Sequence, residues 1–74
     1  LKAAKLGNPK GHIQLGDLYM VGNGVPKDKT EGFKWYLKAA NLNDNNARIR
    51  VADCYRYGDG VKKDINEAIK FSNQ

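Results

Sequence analysis

LGDLYMVGNGVPKD, from Leu15 to Asp28, decides the fold because it returns as VADCYRYGDGVKKD, from Val51 to Asp64. Tyr19 and Tyr55, Gly22 and Gly58, Gly24 and Gly60, Val25 and Val61, Lys27 and Lys63, and Asp28 and Asp64 recur in step. Outward from there the register holds without a gap, since LKAA at Leu1–Ala4 comes back at Leu37–Ala40. About fifteen of the aligned pairs are identical at a period of roughly 36 residues, a length that with helical patterning marks a solenoid of paired helices.

The totals set limits on this reading. The chain has 74 residues, enough for one small domain, which buries only about 60% of its unfolded surface. Cys54 is the single cysteine, so a disulfide-built scaffold is excluded. No apolar run approaches the roughly 20 residues of a membrane span. The net charge of +5 admits an acidic partner, but the basic residues are spread along the chain rather than massed in a block.

The local signals give a helix, a glycine loop, a helix and a short turn, repeated. Leu1–Leu6 matches the end of a second helix, and residues upstream of it are expected. Asn8-Pro9 opens the next one, with asparagine capping the free amides and proline losing nothing at the first helical position. Asp44 takes the cap in the second repeat. The first helices are expected over Pro9–Val21 and Asn45–Tyr57, each ended by a glycine that tolerates the left-handed turn. Gly22-Asn23-Gly24 and Gly58-Asp59-Gly60 reverse the chain, and the following valine drops back to the core. Asp28 with Glu31, and Asp64 with Glu67, have capping-box spacing at the start of second helices expected over Lys29–Leu42 and from Ile65 to the end.

At 100° per residue, Gly11, Leu15, Leu18, Tyr19 and Gly22 share a core face, as do Ala47, Val51, Cys54, Tyr55 and Gly58. Gly16 and Ala52 flank it and allow a neighbouring helix close. Gly32, Phe33, Trp35, Tyr36, Ala39 and Ala40 form the apolar side of the second helix. Gly32 lies inside a helix where the equivalent residue is Ala68, so Gly32→Ala is expected to stabilise by about 0.5–1 kcal/mol.

These residues resemble the Sel-one-like repeat (SLR) family, a relative of the tetratricopeptide repeats. The resemblance rests on Leu15-Gly16, Tyr19, the G-x-G-V loop at Gly22–Val25, Lys27-Asp28, Trp35-Tyr36 and Ala39-Ala40. The second copy is looser, with Val51-Ala52 for leucine-glycine and Phe71-Ser72 for the aromatic pair. The implied fold is all-α, an α-α superhelix of antiparallel helix pairs. Residues 1–6 would be the tail of a preceding repeat helix, 7–42 the first complete repeat, and 43–74 a second, C-terminally shortened one. The implied role is a scaffold that binds other proteins.

Chemistry is sparse. His12 and Cys54 sit on different repeats, read as a surface histidine and a core thiol rather than a nucleophile pair. They are too few for a structural zinc site, and no cofactor is indicated. GNGV lacks the lysine-serine/threonine ending of a phosphate loop and no strand precedes it. The Asp/Glu pairs fit caps better than acid–base catalysis. The chain therefore reads as no enzyme. Arg48, Arg50 and Arg56 share a helix but do not share one face of it. The aromatics are assigned to the core rather than to stacking on bases, which makes nucleic acid the weaker reading.

One stripe remains outside the core face: Lys10, Ile13, Asp17, Met20 and Val21, with Asn46, Ile49, Asp53, Arg56 and Tyr57 as equivalents. By resemblance the first helices line a concave surface, and these residues would bind a protein or peptide partner there. The alternative for the apolar members is packing against the next repeat. Rival readings of the whole chain are a regulatory repeat region of an enzyme, or a basic surface for nucleic acid or acidic lipid. Without polar capping units, self-association through the exposed repeat ends is also expected.

Overall fold

Among the described residues, four helices follow one another in a flat stack: α1 (Pro9–Val21), α2 (Lys29–Ala40), α3 (Asn45–Tyr57) and α4 (Ile65–Ser72). They belong to a computed structural model that describes residues 9–72. The Asn8 cap and the helix tail at Leu1–Leu6 lie outside the described residues. Each helix packs on the next, α1 on α2, α2 on α3 and α3 on α4, and the molecule measures 33 × 25 × 12 Å. The architecture is all-α and solenoidal, as the period requires.

Both glycine loops close the same way. Gly22, Gly24, Gly58 and Gly60 all take positive φ, between 70° and 82°, a region that costs other residues roughly 1–2 kcal/mol. The Asp28 N–H then donates to the Tyr19 carbonyl at 2.9 Å, and the Asp64 N–H to the Tyr55 carbonyl at 2.8 Å. Those two bonds tie each loop back onto the helix it left. Val61 packs against the core from the loop, and Val25 is half-buried.

The caps hold with one change. Asp28, Asp44 and Asp64 accept from the backbone N–H of Glu31, Ala47 and Glu67 at 3.1, 3.0 and 3.2 Å. The reciprocal half of the capping box is not formed, because the N–H it would satisfy at Asp28 and Asp64 already serves a tyrosine carbonyl. Glu31 turns to Lys34 and Glu67 to Lys70 instead. α2 also stops at Ala40, two residues earlier than expected. Leu42 and Asn43 donate three residues back, to Ala39 and Ala40, and Asn43 takes φ 65°. Asparagine is among the few residues that accept this conformation, and it frees Asp44 to sit extended as the cap of α3.

The core runs through Ile13, Phe33, Tyr36, Ala39, Ala40, Ala47, Val51 and Cys54. Large side chains lie over small ones where α1 crosses α2. A Cβ on Gly16 would meet the Tyr36 ring at 2.5 Å. One on Gly32 would meet Met20 Cγ at 2.8 Å and the Gly16 carbonyl oxygen at 2.9 Å. The expected gain from Gly32→Ala is thereby overturned, because the methyl would press on backbone. His12 also differs from expectation. It is buried, with its ring centroid 5.2 Å from that of Trp35, because Trp35 is long enough to reach across from α2.

Candidate functional site: a groove between the first helices of the two repeats

Between α1 and α3 runs an open groove of about 340 Å³. Lys10, Ile13, Gln14 and Asp17 line it from α1, and Asn46, Ile49 and Arg50 from α3. Three positions recur on both helices: Lys10 answers Asn46, Ile13 answers Ile49, and Gln14 answers Arg50. Spacing of three and four residues puts each set on one face. Ile49 is 55% exposed, whereas Ile13 is 8% exposed and forms the groove's base where it enters the core.

A charged bar crosses the groove. Asp17 on α1 accepts from the Tyr36 hydroxyl of α2 and pairs with the Arg50 guanidinium of α3. Three consecutive helices thus meet at one carboxylate, and the Arg50 guanidinium lies 5.6 Å from the Tyr36 ring centroid. Burial, then the bond to Asp17, holds the Tyr36 phenol above its usual range. Beyond the bar lies a second hollow of about 270 Å³, with Met20, Tyr36 and Cys54 as its apolar base. Asp53 stands at its side, and the ion pair of Lys29 with Asp59, 3.0 Å apart, closes its far end. Burial pushes the Cys54 thiol up to about 12, with the nearby Asp59 and Asp53 charges adding to it. That makes Cys54 an inert core thiol, as the sequence indicates.

The stripe expected from the sequence is therefore divided. Lys10, Ile13, Asp17, Asn46 and Ile49 come together at the groove. Met20 does not: it packs on the core and over Gly32 of its own repeat, and its half-exposed side lines the second hollow. Asp53 and Arg56 face each other at 3.9 Å. Val21 and Tyr57 are exposed at the loop ends of their helices, outside the groove lining. Gln14 and Arg50 were missed. The groove face is centred between Lys10 and Asp17, so it takes in Gln14 on one side and leaves Met20 on the other. The i+4 spacing from Lys10 and Asn46 was the signal that could have found both.

Residues 9–44 and 45–74 each match the family model of the Sel1 repeat. No curated protein matches the chain. Among solved structures, a Sel1 repeat protein from Oxalobacter formigenes is similar at 45% identity and a TM-score of 0.86, over 89% of this chain and 27% of that one. Cysteine-rich protein B of Helicobacter pylori is similar at 34% identity and a TM-score of 0.89, over 95% and 53%. A protective antigen of uropathogenic Escherichia coli with an SLR fold is similar at 33% identity and a TM-score of 0.87, over 97% and 16%. The chain thus spans no more than about half the length of these proteins, and it matches a cysteine-rich one while carrying a single cysteine.

Proposed function

The chain belongs to the Sel1 repeat family, and from that premise we propose that it binds a protein or peptide segment in the groove between α1 and α3. Repeats of this family typically serve as protein-interaction scaffolds and are generally not catalytic. The observation that carries the reading is the groove's lining by matching positions of both repeats, with an exposed Ile49 beside a buried Ile13. An apolar side chain of the partner would sit on the two isoleucines, and the amides of Gln14 and Asn46 would bond its backbone. A segment long enough to cross the Asp17–Arg50 bar would reach the second hollow.

Peptides selected from a random display library against the chain test this. Binding should fall at least about tenfold in Ile49→Glu, which places an unpaired carboxylate in the contact. The melting temperature should be unchanged, and Lys34→Glu on the outer side of α2 should bind normally. Equal binding by both variants would sink the groove reading.

A second reading follows from the charges. All eight carboxylates are engaged, three as caps and five in ion pairs. Lys27, Lys62 and Lys63 on the loop edge are exposed and have no ion-pair partner among the described residues. An acidic partner on that edge would lose affinity in Lys63→Glu and steeply with added salt, while Ile49→Glu would leave it intact.

A further inference from the structure

We infer that the hollow beyond the Asp17–Arg50 bar takes an aromatic side chain, which rests on the groove reading and names its partner: a segment with an aliphatic residue and, two or three residues away, a ring. The hollow is a separate seat from the one on the two isoleucines, because the bar stands between them and Arg50 lines both. Its volume of about 270 Å³ lies below the roughly 300 Å³ at which drug-sized sites begin. That is room for one large side chain rather than a whole ligand.

Charge decides first what kind of side chain can enter. Each charged group around the hollow is already paired within the chain: Lys29 with Asp59 at 3.0 Å, Arg50 with Asp17, and Asp53 with Arg56 at 3.9 Å. A charged side chain entering would compete with one of those pairs and lose water over Met20, Tyr36 and Cys54, so a neutral one is selected. Three lining groups then favour a ring over an aliphatic chain. The Arg50 side chain is 43% exposed, and its guanidinium can lie against a π-face, as it already lies 5.6 Å from the Tyr36 ring centroid. Met20 is half-buried at the base; its thioether suits a ring edge and its unbranched chain adapts to what it meets. The Tyr36 ring offers a further aromatic contact from below.

Helix geometry sets the spacing. On α3 the lining passes from Asn46, Ile49 and Arg50 to Arg50, Asp53 and Cys54, each position advancing by four residues, or about 6 Å. On α1 it passes from Ile13 to Met20, seven residues or about 10 Å. Two or three residues of extended chain cover that distance at about 3.3 Å each.

The single methionine of the chain serves as the reporter. Peptides from the display library are sorted by whether Ile49→Glu weakens them. Those it weakens are titrated into protein isotope-labelled at the Met20 methyl, with the methyl resonance followed by NMR. They should carry a phenylalanine, tyrosine or tryptophan two or three residues from an aliphatic residue, and its ring current should shift the Met20 methyl signal. Replacing the ring by cyclohexylalanine keeps the bulk and removes the π-face; it should weaken binding and remove most of the shift. Alanine there should cost about tenfold or more in affinity. Ile49-dependent peptides without such a ring would overturn the inference and leave the groove reading standing. So would a ring that binds with the Met20 methyl unmoved, which would place it elsewhere, or equal binding by the cyclohexylalanine peptide. Peptides all indifferent to Ile49→Glu would overturn the groove reading and the ring's seat with it.

Discussion

At the residue scale, the two glycines inside helices show how far a propensity argument reaches. Gly32 in isolation looks like a defect, since alanine is the better helix former. In the fold it faces Gly16, and each makes room for a large side chain from the other helix, Met20 over Gly32 and Tyr36 over Gly16. Repeat 2 has Ala52, Ala68, Arg56 and Ser72 at these four positions, so a large buried ring and a bare helix face occur together or not at all. Gly32→Ala should therefore destabilise by roughly 1–3 kcal/mol, the usual range for overpacking. Urea denaturation decides it; a midpoint at or above that of the parent would show that Met20 and the α1 backbone give way.

At the element scale, the two glycine loops differ in what they touch: the second presses on the start of α2 in the other repeat. Gly24 and Gly60 share sequence context and backbone angle, so alanine at either should cost the same strain, roughly 1–2 kcal/mol. Only at position 60 does the new Cβ meet a carbonyl, at 2.0 Å. Gly60→Ala should therefore cost about 1–3 kcal/mol more than Gly24→Ala. Equal losses in paired denaturation curves would mean that the loop can lift off α2 freely. The difference between these loops is illegible in the chain, where both read as the same turn. It arises because only one of them has a described helix start in front of it.

At the scale of the whole molecule, the buried Cys54 and Tyr36 and the half-buried Tyr55 tie stability to alkaline pH. Cys54 rises to about 12, and the Tyr36 and Tyr55 phenols are also raised, burial being the first cause for each. A raised pKa in the fold means that the unfolded chain releases its proton first. The stability these groups contribute is complete below their unfolded values, about 8.5 for the thiol and about 10 for the phenols. It is lost as pH rises through the folded ones. The melting temperature should be level from about pH 6 to 8 and fall above about pH 9. Cys54→Leu, which installs the residue found at the equivalent Leu18, should remove the first part of that fall. A melting curve that is flat to pH 11 would contradict the burial of Cys54 and Tyr36. The sequence by itself determined the period, both first helices to the residue, the glycine turns, the aspartate caps and the thiol's place in the core. Each is a local matter of side-chain period or backbone angle, and the repeat stated it twice. Only the tertiary structure decided that Met20 turns inward, that His12 lies under Trp35, and that Arg50 and Gln14 face the groove. Those outcomes depend on which neighbouring helix is near enough to cover a given side chain, and helix-to-helix distance is set by the sizes of residues far apart in the chain.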